Sequence, residues 1–206
     1  GPCAAAFGME PWHESLYDAM ALLTGKKDTI SGYSMWEKES LKDEEHPLVP
    51  YNLTEHTVIR SFPDQDASFS GRLIGGCMDC LVNLTGTEFD HVAEFNDRYK
   101  ADGIIWFLEA CELNVMGIRR AIWHMKHAGW FSNVKGFLIG RPLCFGEEAF
   151  GIDHYRAVTD LLAEYEVPVI MDLDIGHFSP MMPLVCGGTV DVFVAGQKIT
   201  MQNTWK

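Results

Sequence analysis

Apolar residues along this chain fall into two kinds of pattern, and the switch between them lays out the fold. Gly103-Ile-Ile-Trp-Phe-Leu-Glu109 is an unbroken run of β-branched, aromatic and aliphatic side chains, the form of a strand buried on both faces. After it, Ile118, Ile122 and Met125 recur at i, i+4 and i+7 behind Asn114, which predicts an amphipathic helix with an asparagine N-cap. Gly129 closes that helix. Val134-Lys-Gly-Phe-Leu-Ile-Gly140 then predicts a second buried strand, which Arg141-Pro142 breaks. Tyr155, Val158, Leu162 and Tyr165 mark a second amphipathic helix, and Pro168 follows it at the start of the strand within Val167–His177. Strand, helix, strand, helix, strand is the alternation of a parallel α/β unit.

The two ends of the chain are patterned differently. Leu16, Met20 and Leu23 predict a short helix over 13–24 that Gly25 ends beside Lys26 and Lys27. From there to about Gln65 there is little periodicity, with Ser31-Gly32, Pro47, Pro50 and the charged run Glu37–Glu45. That segment reads as irregular with one short strand, either a linker or a substrate-side lid, since so long a stretch in a compact domain usually has a function. Ser70–Gly76 opens a new unit. Near the C-terminus Val190, Val192 and Val194 alternate with other residues, Ala195-Gly196 turns, and Lys198–Met201 returns, an antiparallel hairpin. The expected fold class is α/β, with a mixed sheet.

Composition narrows the function classes. With 29 acidic and 16 basic residues, the formal net charge is -13. Such a surface repels phosphate backbones and anionic lipid, so neither nucleic acid nor a membrane surface is the expected partner. No apolar run approaches a membrane span, and a signal peptide is not expected. The six cysteines are scattered, and Cys77-Met-Asp-Cys80 has no second pair at zinc-finger spacing. Reduced thiols in a cytoplasmic protein, with no metal and no cofactor, are the expectation.

Glu109 ends one buried strand and His177 lies just beyond another. An acid and an imidazole, each where a strand of an open α/β sheet gives way to a turn, form a constellation suited to acid–base chemistry. The other seven histidines carry no motif.

These residues sit in blocks that resemble the LD-carboxypeptidase family of serine peptidases, and within it the microcin C immunity branch. The blocks are Gly1-Pro2 with Phe7-Gly8-Met9-Glu10; Met35-Trp36; Gly71-Arg72-Leu73-Ile74-Gly75-Gly76; Phe107-Leu108-Glu109; Gly136–Pro142; and Asp174-Ile-Gly-His177 with Pro180 and Pro183-Leu184. The resemblance implies a Ser–His–Glu triad that cleaves an amide bond, with His177 as general base and Glu109 as its orienter. It also implies that the nucleophilic serine lies upstream of the Gly-Pro block. Residues 1–66 would then be the tail of a nucleophile domain plus a linker or lid, and 67–206 the C-terminal catalytic-fold domain. Ser34, in Gly32-Tyr33-Ser34-Met35, sits in the later substrate-side segment without a preceding buried strand, and is not expected to be the nucleophile.

Trp36, Gly76 and Cys77 fall on the substrate side of the resemblance. Trp36 matches a tryptophan that stacks on a nucleobase, and its polar surroundings Glu37–Ser40 suggest an exposed side chain facing the cleft. Cys77 stands where relatives usually carry Asn, and Ala110 where many carry Asp. Glu112 and Leu113 occupy the neighbourhood of a substrate-anchoring group. The expected substrate is a small peptide or a peptidyl-nucleotide, and the expected assembly a homodimer. The alternatives are an LD-carboxypeptidase acting on cell-wall peptides and a non-catalytic binding or regulatory module that retains the C-terminal fold.

Overall fold

The computed structural model describes residues 1–204; the last two positions of the expected 67–206 domain lie outside them. In chain order the elements are α1 (Glu14–Leu23), β1 (Thr29–Ser31), β2 (Met35–Trp36), β3 (Glu55–His56), β4 (Arg60–Phe62), β5 (Ala67–Cys77), α2 (Met78–Leu81) and α3 (Val92–Arg98). They continue as β6 (Ile104–Glu109), α4 (Val115–His127), β7 (Val134–Gly140), β8 (Glu148–Ala149), β9 (Ile152–Asp153), α5 (His154–Leu162), β10 (Val169–Leu173), β11 (Thr189–Ala195) and β12 (Lys198–Thr204). One eight-stranded sheet runs in the order β1-β12-β11-β5-β6-β7-β10-β4. Its centre, β5-β6-β7-β10, is parallel, and antiparallel pairs flank it on both sides. The fold is mixed α/β, as the alternation of patterns predicted.

The central strands are buried on both faces because helices cover one and other segments the other. Ile104, Trp106 and Leu108 of β6 pack with Ile118, Ile122 and Met125 of α4 and Val158 and Leu162 of α5. Ile105 points the opposite way, into a second core with Leu138, Ile170, Val192, Ile199 and Leu22 of α1. A fully buried aliphatic or aromatic side chain contributes about 1.5–3 kcal/mol, so the period-2 split of β6 anchors both layers. Asn114 caps α4, accepting from the Gly117 N–H at 2.8 Å, and Asp153 caps α5 the same way through Arg156, also at 2.8 Å.

The stretch read as irregular is more ordered than its pattern suggested. It carries four short strands: β2 pairs with β3, while β1 and β4 close the two edges of the main sheet. Two- and three-residue strands are too short to show a period, and their order comes from the ladders they join. Residues 33–57 hang between the two edges as a hairpin over one end of the sheet.

Candidate active site

The parallel strands β5, β6, β7 and β10 deliver Cys77, Glu109, Gly140 and Leu173 to the same carboxyl edge. This is the edge where open α/β sheets bind ligands. Glu109 is the last residue of β6, and its side chain is only 7% exposed. His177 comes from the turn after β10, two strands away in sheet order, so its loop must cross the end of β7 to reach Glu109.

Two glycines make that crossing possible. A Cβ at Gly140 would lie 1.9 Å from the Ile175 carbonyl oxygen, so only glycine lets the loop pass so low over β7. At Gly176 the backbone has φ +115°, and a Cβ would lie 2.8 Å from Glu109 Oε2. Gly140→Ala is therefore expected to lift the 174–177 loop and cost about 1–3 kcal/mol, the usual range for overpacking a tight contact. Thermal denaturation measures the cost; an unchanged melting temperature would show that the loop has room to rise.

The loop brings the two predicted groups together. His177 Nδ1 and Glu109 Oε2 are 2.9 Å apart. A carboxylate offers only acceptor lone pairs, so Nδ1 carries the shared proton and Nε2 is left as a free base. The imidazole is 47% exposed while the acid beneath it is buried. This arrangement can take a proton from a hydroxyl presented from the solvent side and stabilise the imidazolium that results. Ser34 is not placed to present that hydroxyl. It is exposed beside β2, its carbonyl accepts from Thr57 N–H at 3.0 Å, and among the described residues the hydrogen bond to Glu109 is the one His177 makes.

Cys77 lies beside Glu109, in register with it across the β5–β6 ladder. Its Sγ donates to Asp79 Oδ2 at 3.3 Å. Burial first, then the Glu109 carboxylate, pushes the thiol up to about 12, so it stays protonated at neutral pH and acts as a donor, not a nucleophile. Gly76, one residue earlier, pairs with Leu108 and presents only backbone to the edge. Asp79 accepts from the Cys111 and Glu112 N–H groups at 3.0 and 2.8 Å. Burial pushes its carboxyl up, but those bonds outweigh it and hold the group below the ordinary carboxylate value. Glu112 is thereby tied in place by its backbone.

Trp36 departs from expectation. Its side chain is not open to the cleft: the residue is 4% exposed, with ring centroids 5.0 Å from Phe178 and 5.5 Å from Phe145. Its indole N–H donates to the His56 carbonyl at 3.3 Å. Glu37 is buried as well and accepts from the Asn52 N–H at 2.6 Å. Lys38, Glu39 and Ser40 are exposed on the hairpin's outer side, whereas the Trp36 ring points inward, because a large apolar surface beside Phe178 and Phe145 is better buried than wet.

Sequence reading missed one prominent pair, Arg141 and Asp174, the first residues past β7 and β10. Both are buried, and Arg141 Nη2 donates to Asp174 Oδ1. Burial pushes the Asp174 carboxyl up, and Arg141 pulls it part of the way back. Both residues lay inside the motif blocks, but nothing in their spacing marks two groups 33 residues apart as partners. Among the described residues, no three His, Cys, Asp or Glu side chains converge as metal ligation requires, and no helix is long and apolar enough to cross a membrane.

Known proteins share this fold. The E. coli microcin C7 self-immunity protein MccF is 25% identical over 170 residues, 81% of this chain and 46% of its own length. A structure of MccF in complex with aspartyl sulfamoyl adenosine superposes with a TM-score of 0.73 at 22% identity, covering 99% of this chain and 60% of that one. An MccF-like protein from Streptococcus pneumoniae in complex with AMP gives 0.67 at 21% identity, covering 92% and 57%. At these identities the superpositions establish the fold, and the chain spans about half the length of the curated relatives it matches. The model of the LD-carboxypeptidase C-terminal domain matches residues 70–192, which take in most of β5 through most of β11 with both Glu109 and His177. By that match over more than half of its length, the chain belongs to the LD-carboxypeptidase family.

Proposed function

We propose that this chain supplies the base and its orienter to a serine-type peptidase or amidase, with His177 as general base and Glu109 as the carboxylate that fixes its tautomer. The observation that carries the reading is the 2.9 Å bond between a buried acid and a half-exposed imidazole at the carboxyl edge of the sheet. The nucleophilic serine is placed in the part of the intact protein outside residues 1–206, in keeping with the greater length of the relatives. In the reaction, Nε2 of His177 takes the serine proton as the hydroxyl attacks the scissile carbonyl. It then returns that proton to the leaving amine, and water repeats the cycle on the acyl-enzyme.

A peptidyl-nucleotide is the substrate we favour. The solved relatives bound to aspartyl sulfamoyl adenosine and to AMP support this class. On this reading the protein works in the cytoplasm as a homodimer. The test compares the intact protein with residues 1–206 alone, each assayed on a peptidyl-adenylate carrying a hydrolysable amide and on an LD-tetrapeptide. The expected result is that the intact protein turns over the nucleotide substrate with the higher kcat/KM, and that the isolated chain turns over neither, because a triad works as a unit. Faster turnover of the tetrapeptide would move the reading to cell-wall peptides. Binding of the nucleotide without turnover by the intact protein would make it a binding module instead.

A further inference from the structure

The bond between Glu109 and His177 orients the imidazole but does not hold the loop on which it rides. That loop is gripped from above, at both ends. Before His177, Asp174 accepts from the Tyr33 backbone N–H at 2.7 Å through Oδ2 and is paired with Arg141 through Oδ1. Arg141 Nη2 also donates to Thr57 Oγ1 at 3.3 Å. Tyr33 and Thr57 are the two feet of the 33–57 hairpin, so one buried ion pair ties both feet to the residue three positions before His177. After His177, Phe178 packs against Trp36 at 5.0 Å, and the Ser179 carbonyl accepts from the Glu37 N–H at 2.7 Å. The Arg141 guanidinium lies 4.8 Å from the centroid of the same Trp36 ring, a cation–π contact that closes the circuit.

We propose that the 33–57 hairpin and Arg141 are positioning elements for His177. The seat of Trp36 between Phe178 and Phe145, and the clamp of Arg141 on Asp174, set the imidazole over Glu109. The hairpin's position and the readiness of the base are then one event, and a substrate that moves the hairpin also retunes His177. The catalytic consequence rests on the reading of His177 as general base; the mechanical coupling does not.

The test therefore reads His177 directly. In residues 1–206 with isotope-labelled histidine, the His177 ring signals are identified by their loss in His177→Gln. Trp36→Leu touches neither His177 nor Glu109. It is expected to shift the His177 ring signals and to speed amide exchange at 174–179 by about tenfold or more, while β6 and β7 stay protected. Trp36→Phe, which keeps an aromatic face against Phe178, is expected to restore both. Leu41→Ala, on the exposed outer side of the same hairpin, is expected to change neither. If Trp36→Leu does not fold, Thr57→Val, which removes one hydroxyl from Arg141, carries the same expectation with a smaller shift. Unmoved His177 signals and unchanged exchange at 174–179 in these hairpin variants would overturn the proposal. An inactive intact protein with a moved His177 would sink the catalytic reading and leave the coupling standing.

Discussion

In the intact protein, His177→Ala is expected to lower kcat/KM for amide hydrolysis on the order of 10⁴-fold, and Glu109→Gln by nearly as much. In the reaction proposed above, a serine hydroxyl without the imidazole has nothing to take its proton and is a poor nucleophile. The glutamine variant is the sharper probe because it keeps the shape of the side chain. Its amide can donate to Nδ1, which favours the tautomer with the proton on Nε2, where the base must accept. It also cannot offset the charge of an imidazolium. Both effects act on the transition state, so kcat is expected to fall with KM little changed, and thermal melts are expected to match wild type. Activity within tenfold of wild type in both variants would remove the pair from the mechanism.

The second large effect is on stability. Arg141→Met leaves the Asp174 carboxylate buried without its partner, and breaking such a pair costs about 3–5 kcal/mol. In a chain of this size that corresponds to a fall in melting temperature of roughly 10 °C. The pH dependence has a definite sign. Burial already raises the folded Asp174 carboxyl above its ordinary value of 3.8, with Arg141 opposing the rise. Between the unfolded and folded values the native state holds the extra proton. The group's contribution is therefore full below the unfolded value and is lost as pH rises through the folded one. Without Arg141 the folded value climbs further, so the deficit of Arg141→Met is expected to be largest near neutral pH and to shrink on acidification. Denaturant melts across that range measure it. Arg141→Met with Asp174→Leu is expected to recover much of the loss, because two apolar side chains need no desolvated charge. A deficit that is flat in pH would mean that lost packing on Trp36, not the orphaned acid, dominates.

How much could be read in advance depended on the length scale of the signal. The strand ending at Glu109, the Asn114 cap and the strand Val134–Gly140 were legible because local periodicity and capping chemistry lie within a few residues of each other. Glu109 and His177 were legible as strand-end groups within motif blocks. The edge strands β1 and β4 were not, since three residues cannot display a period. Residues 81–100 gave no predicted element, although α3 packs Val92 and Phe95 against the helix-side core. Trp36 was misplaced because Lys38, Glu39 and Ser40 lie on the outside of a hairpin whose inner face buries both the ring and Glu37.

The amino-acid sequence by itself determined the alternation of strand and helix, the mixed α/β class, the acidic surface and the identity of two groups able to exchange a proton. Each of these rests on side-chain chemistry and spacing along the chain. Only the tertiary structure decided that the loop after β10 crosses low over Gly140 to set His177 on Glu109, that Trp36 is packed inward beside Phe178, and that Arg141 and Asp174 clamp the feet of the hairpin. Those outcomes depend on which strands become neighbours at the carboxyl edge and on how closely their backbones approach. Contacts between residues 33 to 141 positions apart leave no periodic trace in sequence; the order β6-β7-β10 brings them within hydrogen-bonding distance.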